Sequence, residues 1–325
     1  MVAVPVPGRG WLRDPSNGRT LLNEGWIRMS GGNGRSTLLV FTRAPERVVS
    51  LVPSMTETLL EFGVGHTLVG VTDYCRLPAE LEGQVARIGG TRTADAAAIR
   101  SLSPDVVLAN QEENLRELVE GLEAAGLRVW VTFPRSVRGA MDVLWHVIEL
   151  FRLPQAAPKM HVLEATLEWT MRAAEGSRQP RVFCPIWQDQ TADGEPWWMT
   201  FGEGAYAHDV LQVCGGVNAF ASRRRRYPLE ADLGRAPDEP PAGRDTRYPC
   251  VSLREVVDAQ PEVILLPDEP FHFDEACEQH IREALSATPA VKAGRVHRVD
   301  GTLIAWHGTR LGKALAELPL LLQAR

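Results

Sequence analysis

The sequence predicts an α/β protein of two lobes with mainly parallel sheets, joined by a long kinked helix. Three observations carry this expectation. Short β-branched runs alternate with amphipathic segments from residue 47 to residue 133. An apolar stripe at helical spacing then runs from residue 137 to residue 171, with prolines inside it. After residue 181 the strand–helix alternation resumes. Such alternation implies right-handed crossovers and parallel pairing.

The elements follow in order. Arg47-Val48-Val49-Ser50-Leu51-Val52 reads as a buried strand ended by Pro53-Ser54. Ser54 and Glu57 are expected to form a capping box for a helix through Phe62, stopped by Gly63 and Gly65. Residues 68–71 form the second strand, 94–102 a helix, 104–109 a strand, 113–125 a helix closed by Gly126, and 127–133 a strand. Val137, Met141, Leu144, Ile148 and Phe151 share one helix face. Pro154 interrupts it, Pro158 suits a new first turn, and Met160, Leu163, Leu167 and Met171 continue the stripe. Both parts together span about 50–60 Å at the helical rise.

In the second half, 181–187 is expected as a strand and 204–214 as a helix stopped by Gly215-Gly216. Residues 222–250, rich in Arg, Asp, Glu and Pro, read as a surface insertion without a core. Ser252 and Glu255 make a second capping box for a helix to Ala259. Residues 262–266 are a strand, 275–285 a helix, 295–299 a strand and 307–323 the terminal helix. The expected division is an extension (1–44), an N-terminal lobe (45–135), a backbone helix (136–176) and a C-terminal lobe (177–325).

Composition narrows the function. A chain of 325 residues exceeds one ordinary core and suits two. The net charge of −6 lacks the Lys and Arg excess of a duplex-binding surface, and the run Arg223 to Arg226 reads as a solvated loop. Five cysteines, odd in number and without a CxxC, argue against a disulfide framework or zinc knuckle. No apolar run approaches the ~18–20 residues of a membrane span. Leu38-Leu39-Val40-Phe41 is too short for the apolar core of a secretory signal. A cytoplasmic location is therefore expected. A periplasmic or extracellular one would require another start; residues 1–28 are unpatterned, and Met29 is a second candidate start.

The segments 47–57, 68–75 (Leu-Val-Gly-Val-Thr-Asp-Tyr-Cys), 102–109, 251–256, 260–265 and Gly294-Arg295-Val296 resemble the helical-backbone metal receptors. These are the class III periplasmic substrate-binding proteins, the cobalamin- and iron-siderophore-binding receptors of ABC transporters. The resemblance covers about residues 45–325 and rests on the order of the motifs. It implies two Rossmann-like lobes pinned by the helix, with a metal chelate (cobalamin-like, haem-like or a ferric siderophore) held in the cleft between them. It implies no catalytic residues and no covalently bound cofactor. It also implies one glutamate per lobe that docks to arginines of an ABC permease. Ala97 and Arg254 stand at those positions, with Glu255 adjacent, so the docking glutamates are missing. Tryptophans that grip cobalamin in the first lobe are replaced near Arg92 and Asn110. A cytoplasmic relative that stores, senses or hands on its ligand is the companion reading.

Ligands of open α/β sheets bind at the carboxyl ends of strands. That rule selects Tyr74, matching a family tyrosine that packs on the ligand, and Asn110 and Glu112 after the strand ending at Ala109. Glu113 reads equally as a helix-start residue. Trp187, Trp197, Trp198 and Phe201 crowd the stretch after the 181–187 strand, where flat faces would suit a corrin or porphyrin, or pack onto their own lobe. Tyr206, Glu269, Trp306 and Arg310 complete the ligand candidates. Cys75, His208 and His307 are the metal-ligand candidates, each with a bland alternative: a small buried thiol or a hydrogen-bonded histidine.

Two rivals remain. A bare-metal receptor or sensor would need Cys75, Glu112, His208 and His307 to converge at ~2.0–2.3 Å from one ion. An enzyme on the same fold lacks GxSxG, a Walker loop, HExxH and the dinucleotide glycine fingerprint.

Overall fold

The computed structural model describes residues 11–13, 20–22, 26–30 and 36–323, with side chains from Phe41 onward. Most of the extension 1–44 lies outside the described residues. The parts described pair as antiparallel hairpins, β1 (Trp11–Arg13) with β2 (Thr20–Leu22) and β3 (Trp26–Ser30) with β4 (Ser36–Val40). The chain divides into two compact units, Met1–Phe133 with Asp142–Pro158, and Pro134–Met141 with Lys159–Arg325. The helical stretch 136–176 is thus shared between the units and is not a body of its own.

The first unit holds β5 (Val48–Ser50), β6 (Leu68–Val71), β7 (Ala86–Arg87), β8 (Val106–Asn110) and β9 (Val129–Thr132) in the order β7-β6-β5-β8-β9. Every pairing is parallel. The central strands β5 and β8 are buried at every residue, as continuous apolar runs covered on both faces should be. Val49, Val107, Ile99, Leu122 and Val129 fill one side of the sheet.

The helices of this unit start where their caps allow. α1 (Pro53–Glu61) begins at the proline with Val52 as N-cap and no side-chain cap. The expected Ser54–Glu57 box is corrected: Pro53 already opens the helix, so Ser54 lies inside the first turn. α2 (Ala96–Ser101) starts at Asp95, whose carboxylate accepts from Ala97 N and Ala98 N. α3 (Arg116–Ala124) begins three residues later than expected, because residues 111–114 serve the preceding loop.

α4 (Val137–Phe151) and α5 (Ala157–Glu175) flank a 3-10 turn at Pro154–Ala156. Proline has no N–H to donate, and the α-helical ladder breaks there. All five α4 stripe residues are buried, as are Met160 and Leu167 of α5.

The second unit contains a parallel sheet of β13 (Val217–Asn218), β10 (Arg181–Phe183), β15 (Val263–Pro267) and β16 (Val296–Val299), in that order. A separate antiparallel sheet is made of β11 (Trp187–Gln190), β12 (Pro196–Met199) and β14 (Cys250–Ser252). The remaining helices are α6 (Tyr206–Val213), α7 (Leu229–Asp232), α8 (Leu253–Ala259), α9 (Glu275–Ala284), α10 (Pro289–Lys292), α11 (Thr302–Ala305) and α12 (Leu311–Leu322). The Ser252–Glu255 capping box of α8 is present in full.

Three expectations are corrected here. The aromatic run at 196–199 is a strand, and alternation turns Trp198 into the core with Phe183, Val251, Ile264 and Leu266. The segment 222–250 carries its own anchor in Asp232, which is fully buried. The terminal helix starts later than expected, as α12 at Leu311, and a separate short helix, α11, precedes it with residues 306–310 between the two. Among the described residues, no helix is long and apolar enough to cross a membrane.

Candidate functional site

In the first unit, the carboxyl ends of β6, β7 and β8 feed three loops. Tyr74 leaves the end of β6 and is 66% exposed, unusual for a residue of its size. Its ring lies against Gly90, where an added methyl would stand 3.3 Å from Tyr74 Cε2. With no side chain, Gly90 leaves room for that edge of the ring.

Asn114 ties the loops together. Its Nδ2 donates to Thr91 O (2.9 Å) and Leu51 O (3.2 Å), and its Oδ1 accepts from Asn110 N (2.8 Å). Asn114 was not a candidate. Its signal was there to read, an amide at the end of a strand–loop run, but only the fold shows what it reaches. Asn110 is corrected as a ligand residue: it is buried, its Oδ1 accepts from Glu112 N, and its Nδ2 donates to Thr132 Oγ1. Glu112 is half-buried in this loop, and its carbonyl accepts from Arg92 Nη2 (3.3 Å).

In the second unit, Trp187 follows the end of β10 and is 43% exposed. It meets Phe271 edge-to-face at 5.3 Å, and Phe271 in turn leans on buried Phe273 at 4.8 Å. One exposed indole is thus braced by an aromatic ladder rising from the core. Glu269 lies in the loop after β15. Gly301 packs so closely against it that a Cβ would come within 2.6 Å of Glu269 O. Gly301 N also donates to Asp268 Oδ1 (2.7 Å), tying the loops after β15 and β16. The Arg310 guanidinium sits 5.8 Å from the half-buried Trp306 ring and 3.8 Å from Asp300.

Four other aromatic candidates are corrected. Trp197, Trp198, Phe201 and Tyr206 are all buried within the second unit. Trp198 stacks edge-on to Phe183 at 6.1 Å. Burying such rings contributes several kcal/mol, on the order of 25 cal/mol per Å², so the fold takes them before any ligand does. The indole N–H groups of Trp197 and Trp198 and the Tyr206 hydroxyl lack hydrogen-bond partners among the described residues.

The metal set is corrected as well. Among the described residues no group of three or more His, Cys, Asp or Glu is placed to hold an ion. Cys75 is buried, with Thr56 Oγ1 at 3.1 Å and Thr72 Oγ1 at 3.2 Å from its sulfur. Burial pushes its thiol up, only partly offset by those hydroxyls, which disfavours the thiolate a metal needs. His208 is buried against Asn218 Nδ2 (3.3 Å), and burial lowers its pKa despite Asp209 and Glu203 nearby. His307 lies edge-on to Tyr206 at 6.4 Å, and burial drives it down to about 4. These are histidines of the core.

No protein-family model matches the chain. It is similar to the vitamin B12-binding protein of Salmonella choleraesuis, 29% identical over 195 residues, 59% of this chain and 69% of that one. It is also similar to the vitamin B12-binding protein of Photorhabdus laumondii, 26% identical over 210 residues, 62% and 74% of the two chains. Among solved structures it resembles the periplasmic haem-binding protein RhuT of Roseiflexus sp. RS-1, at TM-score 0.62 and 24% identity over 85% of this chain and 97% of the other. The periplasmic vitamin B12-binding protein BtuF of Vibrio cholerae gives TM-score 0.64 and 21% identity over 86% and 96%. The expectation of a cytoplasmic chain is overturned by the similarity to these two solved proteins, both of them periplasmic. The chain is thus similar in sequence to vitamin B12-binding proteins and shares the α/β fold of the solved periplasmic haem- and vitamin B12-binding proteins.

Proposed function

We propose that this chain is a periplasmic, non-catalytic receptor for a metal chelate with an extended flat surface: cobalamin-like, haem-like or a ferric siderophore. It would deliver that ligand to an ABC-type permease. The observation that carries the reading is the pair Tyr74 and Trp187. Each is a large exposed ring within four residues of the carboxyl end of a parallel core strand. That is the edge at which open α/β sheets take ligands, and exposed rings there supply stacking area at low entropic cost. Glu112 lies in the loop after β8 and Glu269 in the loop after β15, at the same kind of strand end, and Trp306 and Arg310 follow α11.

Permease docking through a glutamate on each unit finds little support at Ala97 and Arg254. Arg254 is exposed and lies 3.6 Å from Asp258, and the neighbouring Glu255 is engaged with Ser252 and Arg223. A docking contact in this chain would use other surface charges.

The test is a tryptophan-fluorescence titration with cyanocobalamin, haemin and a ferric catecholate. Saturable quenching by at least one is expected. Trp187→Ala and Tyr74→Ala should each weaken it about tenfold, the loss of ~1.4 kcal/mol. Silence toward all three chelates, with a response to zinc alone, would sink the reading.

A further inference from the structure

The tip Asp73-Tyr74 is exposed, yet a single side chain ties both of its flanks. Arg87, the last residue of β7, donates from Nη1 to Thr72 O (2.9 Å) and to Cys75 O (2.6 Å). These two carbonyls bracket the tip. The other terminal nitrogen, Nη2, is held at 2.8 Å by Glu82 Oε1, which orients the planar fork. Asp73 N donates to Gly89 O (2.9 Å), so the turn is also sewn to the loop after β7. Beneath the tip, Cys75 is locked by Thr56 and Thr72. Above Gly90 the Tyr74 ring has a floor without a Cβ.

An exposed turn bearing a large ring would ordinarily lose backbone and rotamer freedom when a ligand stacks on it. Here the backbone share of that loss is taken at folding. We propose that Arg87 is a positioning residue for ligand binding: by gripping the carbonyls on either side of Asp73-Tyr74 it presets Tyr74 as a rigid shelf. The inference rests on the receptor reading above, in which Tyr74 contacts the chelate. Arg87 itself acts through the turn and not through the ligand.

Two measurements test it. The first is a double-mutant cycle on whichever of haemin or cyanocobalamin the wild-type chain binds. Arg87→Met should weaken binding about tenfold, mainly by faster dissociation, and Arg87→Lys, which keeps a donor for the carbonyls, should recover most of it. In a Tyr74→Ala background, Arg87→Met should change affinity by less than about twofold. Additive losses would overturn the proposal, because a merely structural arginine costs the same with or without the ring.

The second needs no ligand. The chain has four tyrosines, so 3-fluorotyrosine labelling gives a short fluorine spectrum in which Tyr74→Phe assigns one line. Arg87→Met should move that line toward the position of free fluorotyrosine and sharpen it, leaving the others in place. An unmoved Tyr74 line overturns the proposal even if no chelate binds. Absence of chelate binding with a shifted line instead removes the receptor reading and leaves the arginine frame standing.

Discussion

Arg223 Nη1 stands 2.9 Å from Oδ1 of Asp232, a carboxylate with no exposed surface. Arg225 approaches the other oxygen at 3.2 Å, and the backbone N–H groups of Arg226 and Cys250 donate to the same carboxylate. Arg223 also reaches Glu255 at 2.9 Å, so the charge-rich segment is fastened to the start of α8. Removing one partner of a buried charge set leaves the rest unpaired, which costs about 3–5 kcal/mol. Asp232→Ala should lose that much in a urea titration, and trypsin should then cut faster at Arg224 and Arg226.

Trp198 and Trp187 should separate stability from binding. Trp198→Ala empties a fully buried site beside Phe183 and should cost about 3–5 kcal/mol of unfolding free energy. Trp187→Ala removes an exposed ring and should stay within about 1 kcal/mol in the same assay, while reducing chelate quenching. Equal denaturation midpoints for the two variants would contradict the assignment of one indole to the core and the other to the site.

His307 makes stability depend on pH. Its pKa falls from the ordinary 6.5 to about 4 through burial. Between those values the unfolded chain binds the proton and the folded chain does not, so stability rises with pH. The contribution is fully present above pH 6.5, is lost as pH falls, and is exhausted below about 4. It amounts to about 3 kcal/mol. His208, also lowered by burial, adds in the same direction. His307→Gln should flatten the decline in urea midpoint between pH 7 and pH 4.5.

Gly301 fixes the loop that bears Glu269. A methyl there would lie 2.6 Å from Glu269 O and 2.8 Å from Glu269 N, both backbone atoms. Gly301→Ala must move the chain, and such overpacking costs about 1–3 kcal/mol. The variant should show a lower thermal midpoint and weaker chelate binding together. Unchanged binding would take Glu269 out of the site.

The framework was legible because it is written in local patterns. Short apolar, β-branched runs gave β5, β6, β8 and β15, and the spacing of Val137, Met141, Leu144, Ile148 and Phe151 gave α4. Caps were legible only where the helix truly began. Ser252 and Glu255 form their box, whereas Pro53 displaced the one expected at Ser54. The site was read less well for a physical reason. Strand ends can be found from sequence, but the face a ring takes depends on neighbours far along the chain. Trp187 and Trp198 looked alike as members of one aromatic cluster. Pairing with β14 and contact with Phe183 drew Trp198 inward, and Trp187 stayed out on Phe271. Asp232 among so many charged neighbours gave no local sign that it would be buried.

The first unit is not continuous in sequence: it takes back Asp142–Pro158 after the chain has already entered the second. During synthesis it therefore lacks one of its helical segments until residue 158 has left the ribosome. A gene cut after Phe133 would encode an incomplete body, and exchange of halves between relatives succeeds only if the 142–158 segment travels with its own sheet.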